Sequence, residues 1–157
     1  MSLTVTHDTF QLAQAFTIAR GTKTEAQVLT VTARDGEHRG WGECVPYARY
    51  GETLDSVTAE IEGLRGLLDR TALQDALPAG AARNAVDCAL WDLEAKRAGK
   101  HVWELAGLPA PGPEVTAYTL SLDSPENMRV AAARNAHRPI LKIKLGTPDD
   151  MARLEAV

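Results

Sequence analysis

The sequence lacks the segments that would place the protein in a membrane, in a secretory pathway or on nucleic acid. Over 157 residues, no apolar run is long enough to cross a bilayer. The first ten residues, MSLTVTHDTF, do not place a basic start before an apolar core, as a secretory signal does. The net charge is −4 and no basic block is present, which argues against a nucleic-acid partner. We therefore expect a cytoplasmic globular protein that binds neither membranes nor nucleic acid.

Cysteine is also scarce. The two cysteines, Cys44 and Cys88, lie far apart and without the CxxC spacing of metal or redox sites. We interpret them as two buried, reduced thiols rather than as a disulfide or a metal site. The 45% of hydrophobic residues is enough for one sizeable core.

The stretch AQVLTVTARDGEHRGWGECV has the pattern of a β-hairpin. Val28, Thr30 and Thr32 alternate with the residues between them, and Asp35-Gly36 supplies the turn. The following VPYARYGET is rich in aromatic and charged residues and indicates an irregular loop.

Two helices are predicted after this loop. The first begins near Leu54, and its apolar residues fall at spacings of three and four. They are Leu54, Val57, Ile61, Leu64 and Leu68. The second covers AGAARNAVDCALWDLEAKRAG, and its many alanines indicate close packing against a neighbour. Its predicted apolar face consists of Ala82, Val86, Ala89, Leu90 and Leu93.

After a linker, LPAPGPE, the sequence becomes a repeat. LSLDSPENM (120–128) matches IKLGTPDDM (143–151) without a gap. Each copy predicts a strand, an N-cap hydroxyl (Ser124 or Thr147), a proline at the first helical position and acids in the first turn. Tandem strand–helix units with short links predict a parallel sheet, either in a barrel or in an open doubly wound sheet.

Two lysines share one face of the second predicted strand. Side chains alternate across a strand, so Lys142 and Lys144 point the same way, and the repeat aligns Thr119 and Ser121 with them. The lysines could protect an exposed sheet edge. They could instead lie at the mouth of a barrel, where active sites are built. The flanking strand–helix pattern favours the second interpretation, because parallel strands are usually covered on both faces.

Paired lysines also suit a particular chemistry. A lysine acts as a base only when its pKa falls towards neutrality, and burial or a neighbouring ammonium group lowers that pKa. Such a base could remove a proton α to a carboxylate if the resulting enediolate is stabilised, typically by Mg²⁺.

Four segments, in this order, resemble the enolase superfamily, in the branch of the muconate-lactonising enzymes, and most closely its L-Ala-D/L-Glu (dipeptide) epimerases. They are FTIARGTKTEA (16–26), GECVPYARYGET (42–53), LPAGAARNAVDCALWDLEAKRAGK (77–100) and LKIKLG (141–146). The resemblance covers essentially the whole chain. It implies an α+β capping domain at residues 1–113, followed at 114–157 by the first βαβ units of a TIM-like (β/α)₇β barrel.

The resemblance also implies an isomerase activity, the Mg²⁺-dependent epimerisation of dipeptides such as L-Ala-D/L-Glu. Lys144 would be the base on one face of the substrate's α-carbon, and Lys142 would support it by electrostatics and by contact with the substrate carboxylate. Further substrate contacts would come from two loops of the cap and from the first barrel strand. These residues are Ile18, Arg20, Lys23, Tyr47, Arg49, Tyr50 and Thr119.

The superfamily needs parts that this sequence does not show. A complete barrel takes about 250 residues, and the resemblance implies three acidic metal ligands and a second lysine on later strands. We therefore expect a truncated barrel, metal ligands downstream of Val157 and no activity from these residues alone.

Other interpretations stay open. Within the superfamily, an N-acyl-amino-acid racemase, an o-succinylbenzoate synthase or a muconate cycloisomerase would use the same lysines. A non-catalytic fragment that binds a partner by completing its open sheet belongs to another class. The sequence also leaves open whether the protein forms a homo-oligomer.

Overall fold

The structure is a computed structural model that describes residues 1–64, 66 and 69–157. Its contacts divide the chain into two groups, each described separately below. The first group is Met1–Thr9 with Gln27–Pro111, and the second is Phe10–Ala26 with Gly112–Val157. The predicted domain boundary between residues 113 and 114 stays a prediction.

The described residues form five strands, six α-helices and one 3₁₀ turn. The strands are β1 (Ser2–Ile18), β2 (Gly21–Asp35), β3 (His38–Cys44), β4 (Tyr118–Leu120) and β5 (Leu141–Ile143). The α-helices are α1 (Leu54–Glu62), α2 (Arg70–Ala76), α3 (Ala81–Ala98), α4 (Val102–Leu105), α5 (Pro125–Arg134) and α6 (Asp150–Ala156). The 3₁₀ turn is Ala48–Tyr50. Among these helices, none has the length and apolarity needed to span a membrane.

The predicted hairpin is confirmed. Strands β2 and β3 are antiparallel, and Asp35 pairs with His38 across a two-residue turn. Gly36 in this turn has a φ of 58°, in the left-handed region that a two-residue hairpin turn requires. β1 joins β2 on its other side, in the order β1-β2-β3. The long strand β1 was not predicted.

Helix α3 lies directly on β3 because small residues form both surfaces. Gly40 and Gly42 are buried on β3. A Cβ atom at Gly42 would lie 2.0 Å from the carbonyl oxygen of Ala85, and one at Gly40 would lie 2.1 Å from that of Ala89. The predicted apolar face of this helix is buried, as expected, and the alanines do mark close packing. Its residues are Ala82, Val86, Ala89, Leu90 and Leu93.

The predicted first helix is shorter than expected. Val57 and Ile61 are buried in the core, but α1 ends at Glu62, and Leu68 lies outside the described residues. Gly66 has a φ of 72°, a left-handed conformation that interrupts a helix. The next helix, α2, was not predicted. It begins after Asp69, whose carboxylate accepts a hydrogen bond from the Ala72 N–H at 2.7 Å.

Both thiols are free, but only one is buried. Cys44 is 6% exposed at the end of β3, whereas Cys88 is exposed on α3. The prediction of two buried thiols is therefore wrong for Cys88, because α3 turns Ala85 and Ala89 to the core and leaves position 88 outside. Burial, with a smaller contribution from Glu52, raises the pKa of Cys44 to about 11.

The second group contains the predicted repeat. β4 and β5 are parallel and pair Tyr118 with Leu141, Thr119 with Lys142 and Leu120 with Ile143. The two copies are therefore in register at the 23-residue offset of the sequence repeat. Helix α5 connects the strands and contacts α6. These facts confirm a parallel strand–helix repeat.

The two helix starts differ. Ser124 caps α5 as predicted, accepting a hydrogen bond from the Asn127 N–H at 3.2 Å, and Pro125 is the first helical residue. The prediction that Thr147 caps α6 is wrong, since the N-cap is Asp149. The carboxylate of Asp150 folds back onto the residues before the helix and holds them in a separate turn.

Candidate active site

The two lysines lie at the carboxyl end of β5, beside β4. Lys142 is exposed and pairs with Thr119, while Lys144 is half-buried and follows the last residue of the strand. Side chains two residues apart share a face of a strand. The register thus brings together the two predicted catalytic residues and the predicted contact Thr119.

The turn after Lys144 is held by Asp150. The carboxylate of Asp150 accepts hydrogen bonds from the Gly146 N–H at 2.6 Å, the Thr147 N–H at 3.1 Å and the Thr147 hydroxyl at 3.2 Å. Burial works against ionisation of this carboxyl, but the hydrogen bonds from Gly146 and Thr147 and the nearby charge of Arg153 together outweigh it and lower its pKa. An ionised Asp150 therefore fixes the backbone two residues beyond Lys144.

The turn between β1 and β2 lies against the same place. A Cβ atom at Gly146, whose φ is 133°, would lie 2.8 Å from the Cβ of Ala19. The Thr17 N–H donates to the Ser121 hydroxyl at 2.7 Å, and the Leu122 N–H donates to the Thr17 carbonyl at 3.0 Å. The end of β1 is therefore attached to the chain after β4.

This hairpin carries the first predicted specificity loop. Ile18 is half-buried at the end of β1, Arg20 is exposed in the turn, and Lys23 is exposed on β2. They belong to the same contact group as Thr119 and the two lysines. Six of the nine predicted site residues are therefore in the second group.

The other three predicted residues, Tyr47, Arg49 and Tyr50, are in the first group, in and beside the 3₁₀ turn. The rings of Tyr47 and Tyr50 lie 5.7 Å apart, and Tyr50 is 76% exposed. Gly51 ends the turn with a φ of 78°. Arg49 is exposed.

Glu52 anchors this loop to helix α3. Its Oε2 accepts a hydrogen bond from the Tyr47 N–H at 3.0 Å, and its Oε1 accepts one from the Ala81 N–H at 2.7 Å. Ala81 is the first residue of α3, and its N–H is one of the helix-start donors that have no partner within the helix. One carboxylate thus fixes both the loop and the start of the helix.

Sequence reasoning missed the residues that hold these loops. Gly146, Asp150 and Glu52 lie within the quoted segments, but the two carboxylates bond to backbone N–H groups, which side-chain patterns do not reveal, and Asp150 was interpreted only as a first-turn acid. The single available signal was Gly146, two residues after Lys144. In the described ranges, no group of three or more His, Cys, Asp or Glu side chains could hold a metal ion.

Comparison with known proteins assigns the family. Residues 1–107 match the model of the mandelate racemase / muconate lactonizing enzyme N-terminal domain. The L-Ala-D/L-Glu epimerase of Escherichia coli (strain K12) is 42% identical over 90% of this chain and 46% of its own length. The chain spans about half the length of the curated relatives it matches.

Solved structures agree with this family assignment. One is an enolase family member from Agrobacterium tumefaciens with homology to dipeptide epimerases, bound to sodium and L-Ala-L-Glu. It is 55% identical with a TM-score of 0.92, over 99% of this chain and 49% of that one. The dipeptide epimerase of Enterococcus faecalis, complexed with Mg and L-Leu-L-Tyr, is 29% identical with a TM-score of 0.84, over 98% of this chain and 48% of that one.

The relatives that are named epimerases are isomerases, and the matches confirm the predicted resemblance and the α+β capping fold. The chain belongs to the mandelate racemase / muconate lactonizing enzyme family of the enolase superfamily, and its first 107 residues are that family's N-terminal domain.

Proposed function

We propose that these residues serve in a Mg²⁺-dependent epimerase that inverts the α-carbon of the glutamate residue in L-Ala-Glu dipeptides. One observation carries the proposal: Lys142 pairs with Thr119 in a parallel sheet, and Lys144 follows that strand two residues before Gly146, which lies against Ala19 of the β1–β2 turn. Binding of L-Ala-L-Glu by the relative that is 55% identical supports this choice of substrate.

In this mechanism Lys144 is a base. Its neutral Nζ takes the α-proton, and the electron pair of the broken C–H bond moves into the carboxylate to give an enediolate. A proton delivered to the opposite face then gives the other epimer. Lys142 binds the substrate carboxylate and favours the build-up of negative charge there.

The acidic side chain of the substrate would be bound by the β1–β2 turn. Arg20 and Lys23 are exposed there and cationic, and charge-assisted hydrogen bonds to a carboxylate are strong. Ile18 would contact the apolar part of the dipeptide. Tyr47, Arg49 and Tyr50 would line the substrate from the second loop, and Thr119 from β4.

The remaining machinery lies outside these residues. We propose that β4, α5, β5 and α6 are the first units of a (β/α)₇β barrel and that later strands supply the Mg²⁺ ligands and the second lysine. A metal in the Enterococcus faecalis relative supports the choice of Mg²⁺. Among the described residues, no group of three or more His, Cys, Asp or Glu side chains could hold this metal.

Exchange of the substrate's α-proton in D₂O tests the role of Lys144. Wild-type protein that includes the proposed later strands should wash the α-proton out of both L-Ala-L-Glu and L-Ala-D-Glu, whereas residues 1–157 alone should exchange neither. Lys144→Ala should slow that exchange for one epimer by about 10²–10⁴-fold, the range for a lost general base. Lys100→Ala, a change at an exposed lysine after α3, is the control and should leave both rates unchanged.

Two outcomes would contradict the proposal. The first is a wild-type protein that exchanges neither epimer. The second is a Lys144→Ala variant that exchanges both at the wild-type rate. Exchange of N-acetylglutamate, but of neither dipeptide, would instead favour an N-acyl-amino-acid racemase.

A further inference from the structure

A largely buried arginine outside the proposed catalytic residues connects the loops after β4 and β5. The side chain of Arg153, on α6, is only 12% exposed. Its Nε donates a hydrogen bond to the carbonyl oxygen of Asp123 at 2.7 Å, and its Nη1 donates one to the hydroxyl of Thr147. Asp123 follows β4 and Thr147 follows β5, so one guanidinium group bonds to both loops.

Arg153 is also close to acidic groups. Its Nη1 lies 3.7 Å from Asp150 Oδ1, and its Nη2 lies 3.8 Å from Asp149 Oδ2. Asp150 in turn accepts the N–H groups of Gly146 and Thr147. The contacts therefore form a continuous path from the guanidinium group to the turn that follows Lys144.

Lys144 depends on this path more than Lys142 does. The β4–β5 ladder includes Lys142 but ends at Ile143, so Lys144 lies one residue beyond the last strand pair. Its backbone leads through Leu145 into the turn that Asp150 and Arg153 hold. A misplacement of about 1 Å at a reacting group can cost roughly 10²-fold in rate.

We propose that Arg153 is a positioning residue for the base Lys144, an assignment that rests on the proposed function. The planar guanidinium fork bonds two loops at once, and an ammonium group in its place would retain the charge but not the geometry. Arg153 itself does not touch the substrate. Its loss should therefore affect the face of the α-carbon that Lys144 serves, and spare the other face.

The test measures α-proton exchange in D₂O separately for L-Ala-L-Glu and L-Ala-D-Glu in the whole protein. Arg153→Gln removes both bonds and the charge, and Arg153→Lys retains the charge. Arg129→Gln is the matched control, because Arg129 is an exposed helical arginine whose partner is Glu126 at 2.6 Å on its own helix. Amide hydrogen exchange at Gly146 and Thr147 directly measures how strongly the hydrogen bonds of the turn are protected.

Arg153→Gln should slow exchange of the epimer that depends on Lys144 by roughly tenfold or more, with the other epimer nearly unchanged. Amide exchange at Gly146 and Thr147 should accelerate. Arg153→Lys should recover part of the lost rate, and Arg129→Gln should match wild type.

Equal losses for both epimers would show a general structural role and overturn the assignment, and so would wild-type rates in Arg153→Gln. If Arg153→Gln does not fold, the ratio of the exchange rates of the two epimers in Arg153→Lys tests the assignment by the same criterion. Failure of the proposed function is distinguishable, because wild-type protein would then exchange neither epimer.

Discussion

The close contact between β3 and α3 makes Gly42→Ala a severe change. An added Cβ atom would lie 2.0 Å from the carbonyl oxygen of Ala85 and 2.8 Å from the amide nitrogen of Ala89. The oxygen would have to recede by about 1.4 Å to reach the 3.4 Å at which ordinary contact begins. Both atoms belong to the helix backbone, so no side-chain rotation can relieve the clash.

The expected cost follows from overpacking. An extra methyl group in a well-packed core costs typically 1–3 kcal/mol, occasionally more. Because the obstacle is backbone, we expect the upper part of that range. Replacing glycine within a strand recovers about 0.5–1 kcal/mol of chain entropy. The free energy of unfolding should therefore fall by roughly 2 kcal/mol or more.

Urea unfolding followed by circular dichroism measures this change. The control is Gly112→Ala, since a Cβ there has no heavy atom within 4 Å. Its free energy of unfolding should stay within about 0.5 kcal/mol of wild type. A Gly42→Ala variant as stable as the Gly112→Ala control would refute the close packing of α3 on β3.

Three further predictions concern Cys44, Cys88 and Glu52. A thiol reagent at pH 8 should label exposed Cys88 in the folded protein and reach Cys44 only after unfolding, as mass spectrometry would show; equal rates would contradict the burial of Cys44. Because burial raises the pKa of Cys44 from 9.0 to about 11, its contribution to stability should be complete below pH 9 and be lost as the pH rises to 11. A Cys44→Ala variant with the same decline in melting temperature over that interval would argue against it. Glu52→Gln should lower the free energy of unfolding by about 1–3 kcal/mol, because it replaces one acceptor oxygen of a charged pair of hydrogen bonds. Glu43→Gln, a change at an exposed residue, should leave that free energy unchanged. Equal urea midpoints for the two variants would contradict the anchoring role of Glu52.

Local patterns predicted much of the fold. Asp35-Gly36 gave the hairpin because its turn geometry is encoded in two residues, and the alanine face of α3 followed from helical spacing alone. The register of Thr119 with Lys142 was readable because the repeat carries it in the sequence. In each case the determining residues are neighbours along the chain.

Features that depend on distant residues were missed. The helix predicted from Leu54 extended past Gly63 and Gly66, whereas α1 ends at Glu62. An apolar stripe does not show where the backbone leaves the helical conformation. The carboxylate of Asp150 accepts hydrogen bonds from two N–H groups of the preceding turn, and α6 therefore begins after Asp149 and not after Thr147. The bonds of Arg153 to the loops after two different strands exist only once the strands are paired.

At the candidate site, too, the features set by local sequence were predicted and those set by distant contacts were missed. Residue types predicted the two lysines and the cationic residues Arg20 and Lys23 as site residues. The structure places them in the same contact group as Thr119. The roles of Lys142, Lys144 and the loop residues stay predictions, and the exchange experiments test them. The groups that hold the loops in place lie within the same segments, but their hydrogen bonds to backbone groups leave no pattern in the sequence.

The anchoring of the Tyr47–Gly51 loop leaves its side chains free to change during evolution. Glu52 bonds the backbone N–H of Tyr47 and that of Ala81, and so its two bonds do not require particular side chains at either position. Mutations at Ala48, Arg49 or Tyr50 can then change the side chains that the loop presents while its attachment to α3 is preserved. Under the proposed function, a lineage with this arrangement would vary its substrate contacts by single substitutions, without first having to rebuild the loop.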